Sequence, residues 1–216
     1  MDSKQKEKKS DLEEINDLKM SRGEKEEYVI DFNKLGNHIV YDENGNKIRF
    51  GDVYKHQKTI IVFTRHFLCF MCKDYVEDLA IIPLEYLQEA NVRVVVIGPA
   101  PYKFIRYTLY TDPERELYSA LKLKSDVIPG PPKGSKHVKQ STFMGILQST
   151  WRAMKAKEYQ GNIHQQGGAF IFGPGDVCHY YHIDQDSSGH APINDLLEAA
   201  GVQQVSFPKD SRIQTL

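Results

Sequence analysis

Thr59-Ile60-Ile61-Val62-Phe63-Thr64-Arg65-His66-Phe67-Leu68-Cys69-Phe70-Met71-Cys72-Lys73 is the stretch on which the reading of the whole chain turns. Thr59 to Phe63 is an unbroken β-branched and aromatic run, which predicts a central strand buried on both faces. After a short turn, Lys73 to Ala90 carries Tyr75, Val76, Leu79, Ile82, Tyr86 and Leu87 at helical spacing, with Pro83 predicting a kink. Val92 to Gly98 is a second buried strand. Strand, helix and strand in that order predict parallel strands with a right-handed crossover.

Working outward, His38 to Tyr41 and Lys47 to Phe50 flank Asp42-Glu43-Asn44-Gly45-Asn46, and Asn-Gly supplies the positive φ angles of a hairpin turn. Thr108 to Thr111 reads as a short strand. Asp112 then suits an N-cap, with Pro113 at the first helical position and Glu114-Arg115-Glu116 in the first turn. Lys124 to Thr142 is a loop or insertion, and its Lys133–Lys139 cluster reads as solvated. Ile146 to Tyr159 reads as a helix holding the only tryptophan, Trp151. Ala169 to Phe172 and Val177 to Ile183 form a hairpin around Gly173-Pro174-Gly175-Asp176, and Pro192 to Ala200 is a terminal helix. Residues 1–27 are mixed-charge and nearly free of aromatics, a composition too poor in apolar surface to offset ordering entropy. They are expected to form a tail, with one short helix conceivable over Leu12 to Met20. A domain over 28–205 and a C-terminal tail over 206–216 complete the expected organisation.

A formal net charge of −1 offers no basic face for nucleic acid. The longest apolar runs are strand length, so no membrane span is expected. The charged N-terminal segment resembles neither a secretory signal nor an acid-poor presequence. Three cysteines are too few for a secreted disulfide framework. These readings together predict a cytoplasmic protein.

Cys69 and Cys72 sit between a buried strand and an amphipathic helix in an alternating β/α chain, which predicts a thioredoxin-like α/β fold with a redox dithiol. Cys69 falls at or just before the first helical turn. Unpaired N–H groups and the positive end of the helix dipole there favour a thiolate. Arg65 and His66, in the preceding turn, are expected to add positive charge. Cys72, one turn on, can close a disulfide with Cys69. Phe70 and Met71 would suit an apolar partner or substrate beside the sulfur. A packed, inert pair is one competing reading, and a zinc half-site is the other. It needs a second pair of ligands from Cys178, His179, His182 and His190, but along a strand Cys178 and His182 share one face while His179 points to the other. Cys178 is expected to be a buried strand cysteine, and His179 and His182 surface or satisfied histidines. Asp184-Gln185-Asp186-Ser187-Ser188 has a passing likeness to a calcium loop but lacks its glycine and its distant glutamate. No metal and no organic cofactor is expected.

Phe63 to Lys73 resembles the active-site segment of the peroxiredoxin-like 2 family. Asp112-Pro113-Glu114-Arg115 is similar to that family's Asp-Pro-x-Arg segment, and Gln165 to Gly175 to its glycine-led late strand. Leu147 to Ala153 and Pro192-Ile193-Asn194 point to its C subgroup, named for an alkyl-hydroperoxide-reductase/thiol-specific-antioxidant domain. The likeness runs from Tyr28 to Val205. It implies a thioredoxin-like fold of the peroxiredoxin branch, a central mixed sheet flanked by helices behind an N-terminal hairpin. It also implies thiol-dependent reductase activity; a sister subgroup is associated with reduction of prostaglandin endoperoxides. True peroxiredoxins carry a Pro-x-x-x-Thr-x-x-Cys loop. Here His66 stands three before Cys69, Cys69 stands three before Cys72, and Arg65 replaces the proline. The peroxide-binding threonine is absent on either alignment. Arg152 is a candidate for the distant active-site arginine of peroxiredoxins.

The expected function is reduction of a peroxide or disulfide by Cys69 and Cys72, with Arg65 and His66 assisting and an external thioredoxin-type dithiol as reductant. Helix-terminus electrostatics favour Cys69 as nucleophile; the Thr-x-x-Cys pattern would favour Cys72. The alternative is a regulatory thioredoxin-fold module in redox-linked signalling with little or no turnover.

Overall fold

The Lys58–Phe63 strand does lie inside the sheet, with a parallel neighbour on one side and an antiparallel one on the other. The computed structural model describes residues 28–66, 69–99, 109–125 and 164–207. Several expected features lie outside those residues: the tail over 1–27, the Lys133–Lys139 cluster, the helix with Trp151 and Arg152, and the end of the chain. The chain divides into Met1–Ile30 and Asp31–Leu216. The first unit has only residues 28–30 described, in no regular element; the elements below belong to the second.

In chain order they are α1 (Phe32–Leu35), β1 (Ile39–Tyr41), β2 (Lys47–Arg49), α2 (Phe50–Tyr54), β3 (Lys58–Phe63), α3 (Phe70–Leu79) and α4 (Leu84–Glu89). Then follow β4 (Val92–Gly98), β5 (Leu109–Thr111), α5 (Glu116–Ala120), β6 (Gly168–Phe172), β7 (Cys178–Ile183) and α6 (Ile193–Ala200). The strands form one seven-stranded mixed sheet in the order β2-β1-β5-β4-β3-β6-β7. β3, β4 and β5 run parallel, and the remaining pairings are antiparallel. Both expected hairpins are present. In the first, the Asp42 carboxylate accepts the N–H groups of Asn44 and Asn46 at 2.9 and 2.8 Å, and Gly45 takes a φ of 80° that favours glycine.

The unbroken apolar run of β3 is explained by what covers each face. Ile60 and Val62, with Ala169 and Ile171 of β6, pack against Tyr75 and Leu79 of α3 and Ile193, Leu196 and Leu197 of α6. On the other face Phe63, Phe170 and Phe172 meet Phe50, Tyr54 and Tyr118. Each such fully buried side chain contributes about 1.5–3 kcal/mol before ordering costs are subtracted.

Two expected details are corrected. Pro83 does not kink one helix; α3 ends at Leu79 with Ala80 as its C-cap, and Pro83, in extended backbone (φ −60°, ψ 133°), precedes a separate α4. Proline has no N–H for the helical ladder and biases its predecessor away from α geometry, while the apolar spacing stays in phase across the break. Pro113 does not open a helix either. The Asp112 carboxylate reaches over it to the N–H groups of Glu116 and Leu117, at 3.1 and 2.9 Å, and left-handed Arg115 (φ 57°) precedes α5.

The register brings five segments to one end of the sheet. Phe63 pairs with Ile97 and with Gly168, Gly98 with Thr111, and Gly168 with Ile183. Loops beyond the C-terminal ends of parallel strands are the usual place for a site in α/β folds, and the dithiol follows β3 at that end. Among the described residues no helix is long and apolar enough to cross a membrane.

Candidate functional site

Cys69 is the N-cap residue of α3. Its backbone is extended (φ −73°, ψ 116°) and its sulfur accepts the N–H of Cys72 at 3.5 Å. The sequence dictates this: a strand ends at Phe63, and the apolar helical pattern resumes at Phe70, so the residue before it caps the first turn. Arg65 Nη1 lies 3.6 Å from the same sulfur, and Arg65 Nε donates to the Gln165 carbonyl at 3.1 Å. Arg65 is 3% exposed, so its charge acts through little screening solvent.

These contacts lower the Cys69 pKa to about 6. The Cys72 thiol, donating to it, is the largest cause; burial opposes it, while the Arg65 charge, the Cys72 N–H and the charge on His190 add to it. Cys72 moves the other way, well above the ordinary thiol range. It gives its hydrogen to Cys69, is buried, and faces the Cys69 charge. The pair is thus one thiolate and one thiol, with the thiolate at the helix cap.

His66 is placed near this pair but not as expected. It is 8% exposed, and burial together with the adjacent Arg65 charge lowers its pKa to about 4, so it is neutral near pH 7 and adds no positive charge. Phe70 and Met71 are 5% and 7% exposed and cluster with the two cysteines. They are packing and present no apolar patch to a partner.

Several site residues were missed by sequence reasoning. Tyr118 OH donates to the carbonyls of Thr64 and Ile97 at 2.7 and 3.0 Å, tying the loop before Cys69 to the end of β4. Gly167 lets β6 approach β3: a Cβ there would lie 2.1 Å from the Phe63 carbonyl oxygen and 3.0 Å from Asp184 Oδ2. Asp184, 1% exposed at its side chain, pairs through Oδ2 with Nδ1 of His190 at 2.7 Å. The His190 ring lies on that of Tyr75 with centroids 4.7 Å apart. Burial would lower the His190 pKa, but the Asp184 charge and hydrogen bond, with the Cys69 charge, raise it despite Arg65. The Gly167-Gly168 pair and the acidic Asp184–Asp186 stretch were the only local signals for this. The calcium-loop likeness dissolves, since Asp184 engages His190 and the Asp186 carboxylate accepts from Ser188.

Cys178 is half-buried rather than buried, with its pKa raised to about 11 by burial. It pairs with Phe172, which pairs with Thr59, at the end of the sheet away from Phe63. Four residues of strand separate the ends, about 13 Å. His179 and His182 bond the carbonyls of Gly173 and Gly189 at 2.8 and 2.6 Å.

Comparison with known proteins adds to this geometry. The family described as AhpC/TSA antioxidant enzyme matches residues 83–186, a span that begins after the dithiol and includes Gln165, Gly167 and Asp184. Peroxiredoxin-like 2C of Homo sapiens is 42% identical over 179 residues, covering 78% of this chain and 79% of that protein. A chloroplastic thioredoxin-like protein of Arabidopsis thaliana, AAED1, is 31% identical over 173 residues, 74% of this chain and 68% of that one. Among solved structures, a Xanthomonas campestris bacterioferritin comigratory protein studied for alkyl peroxide reduction superposes with a TM-score of 0.50 at 10% identity. It covers 81% of this chain and 98% of that one, and the likeness is one of fold.

Proposed function

The chain belongs to the peroxiredoxin-like 2 family, in its C subgroup, and from that premise we propose that it is a thiol-dependent reductase in which Cys69 attacks and Cys72 resolves. Family and fold carry a thiol-based, antioxidant-type role. The observation behind the finer reading is the Cys69 sulfur at the cap of α3, 3.5 Å from the Cys72 N–H and 3.6 Å from the Arg65 guanidinium.

The Cys69 thiolate attacks a peroxide oxygen. An S–O bond forms, the O–O bond breaks, and the departing alkoxide takes a proton, so sulfur is oxidised by two electrons and the peroxide reduced by two. The Cys72 sulfur then attacks the Cys69 sulfenic acid. An S–S bond forms and hydroxide leaves as water with the Cys72 proton. A thioredoxin-type dithiol, the external reductant, exchanges with the disulfide and restores both thiols. A small disulfide substrate enters by the same first attack, its leaving thiolate taking the place of the alkoxide. The compartment we propose is the cytoplasm.

No threonine stands where peroxiredoxins orient the peroxide. Losing one oriented hydrogen bond of that kind costs about a hundredfold or more in rate. Turnover with thioredoxin, its reductase and NADPH is therefore slow but catalytic. Cys69→Ser abolishes it. Cys72→Ser retains one attack per molecule and loses recycling. Wild-type protein that consumes NADPH no faster than Cys69→Ser, across hydroperoxides, endoperoxides and disulfides, overturns the reading. In that event the second reading, a regulatory module with little turnover, takes its place. The burial of both thiols, each 4% exposed, is the observation that favours it.

A further inference from the structure

The segment after β7 delivers a second charged pair to the dithiol end of the sheet. The missing side chain at Gly167 leaves room for the Asp184 carboxylate beside the end of β3, where a Cβ would meet both Phe63 O (2.1 Å) and Asp184 Oδ2 (3.0 Å). β3 is the strand that feeds the Thr64–Cys69 loop. Asp184 Oδ2 accepts from His190 Nδ1 at 2.7 Å, which sets the tautomer and orientation of the ring. The ring is clamped again by Tyr75 of α3, one turn beyond Cys72. The two rings lie 4.7 Å apart, and Tyr75 OH donates to the Ala191 carbonyl at 2.6 Å. The His190 side chain is 6% exposed, and its Nε2 is buried with no hydrogen-bond partner among the described residues.

A ring held this tightly with one nitrogen left over is costly as mere filling, because a buried unsatisfied polar atom forfeits about 1–3 kcal/mol. A nearby anion offsets that cost. We propose that the buried Asp184–His190 pair belongs to the thiol site, holding a positive imidazole ring near the cap of α3 so that Cys69 stays a thiolate. The inference rests on the reading of Cys69 as the attacking sulfur. His190 acts through Cys69 and is a positioning residue.

The groups facing His190 are Asp184 after β7, Cys69 and Arg65 from the loop before α3, and Tyr75 on α3; His182 lies 3.6 Å from the other Asp184 oxygen. Among the described groups that act on His190, Arg65 is a second cation and Asp184 the carboxylate, and an ionised Cys69 adds a further negative charge beside the two cations. The coupling is reciprocal: the Cys69 charge favours protonated His190, and the His190 charge favours ionised Cys69.

Alkylation of the reduced full-length chain by iodoacetamide between about pH 5 and pH 9, read peptide by peptide, reports the Cys69 midpoint. In His190→Gln that midpoint rises by about one pH unit, a tenfold loss of thiolate below it. Asp184→Asn produces a similar rise, and the double variant adds little more. The converse measurement needs no change in the pair. In Cys69→Ser, the His190 imidazole followed by NMR titrates at a lower pH than in the reduced wild type. A folded His190→Gln protein with an unmoved Cys69 midpoint overturns the proposal, as does a His190 titration indifferent to Cys69→Ser. A wild-type Cys69 that titrates as an ordinary thiol defeats instead the underlying reading, and this proposal with it.

Discussion

Two buried histidines flank the same thiol with opposite consequences. His66 comes with the loop before α3, three residues from Cys69; His190 comes from the segment after β7, far along the chain. Both are almost inaccessible, and each keeps one buried ring nitrogen without a hydrogen-bond partner among the described residues. The difference is the neighbour. Beside His66 stands the Arg65 guanidinium, so burial and charge both oppose protonation, and its pKa falls to about 4. On His190 burial is again the largest cause and lowers the pKa, but the Asp184 carboxylate at 2.7 Å, joined by the Cys69 charge, outweighs it and the pKa rises. Desolvation acts on both rings in the same direction; the sign of the nearest partner decides which one is pushed toward its charged form. Proximity to a cysteine in sequence therefore says little about which histidine stabilises its thiolate.

The comparison breaks most severely at Gly167. Gly167→Ala forces a Cβ to 2.1 Å from a main-chain oxygen that cannot rotate away, and to 3.0 Å from the carboxylate that anchors His190. We expect a loss of about 4 kcal/mol or more in urea unfolding. Protein that still folds should also show a raised Cys69 midpoint, because Asp184 is displaced. A stability change within about 1 kcal/mol would mean that the β3–β6 approach does not fix the Asp184 arm.

A smaller effect separates the two rings by pH. The folded pKa of His66 is about 4, against 6.5 for an unperturbed ring. The unfolded chain therefore binds the proton first as pH falls. The stability associated with neutral His66 is complete above 6.5 and is lost as pH falls toward 4. Between about pH 7 and pH 5 that amounts to about 2 kcal/mol. His66→Leu should lose less stability than wild type over that interval by this amount, measured by urea unfolding at both pH values. His190 has the opposite sign: its contribution is present at low pH and is lost as pH rises through its raised folded value. Equal slopes for wild type and His66→Leu would show that His66 is not held neutral.

Much of this architecture was legible in the chain because it is written locally. The β-branched run of β3, the Asn44-Gly45 turn and the strand–helix junction at Cys69 each need only a few adjacent residues. Arg65, four residues before Cys69, came with them. The features that escaped depend on how distant segments meet. Helical spacing runs in phase from Tyr75 to Leu87, so periodicity could not show that Pro83 divides two helices. The side chain of Asp112 caps across Pro113 through a left-handed Arg115, a geometry that no helix-start pattern encodes. Phe70 and Met71 have the right character for a docking surface, but burial is decided by what packs on α3. Asp184 and His190 come to the dithiol end of the sheet because β6 and β7 extend it beyond β3, and no motif near Cys69 signals them.

The smallest expected effect sharpens the comparison most. The His66 ring is neutral near pH 7, so removing it takes away no charge from the field at Cys69. The groups that stabilise that thiolate are the Cys72 thiol and N–H, Arg65 and His190; the His66 ring is not among them. What His66 supplies is main chain: its carbonyl accepts the Cys69 N–H at 3.1 Å, and that bond survives any side-chain replacement. Leucine fills a similar apolar volume and leaves the Arg65 contacts to Gln165 and Cys69 in place. The Cys69 alkylation midpoint in His66→Leu should therefore stay within about 0.3 pH unit of wild type, less than 0.5 kcal/mol of differential stabilisation. His190→Gln, assayed identically, should move it about three times as far or more. If the two variants shift the midpoint equally, His66 carries charge in the reduced protein, and the sign of the nearest partner is not what distinguishes the two rings.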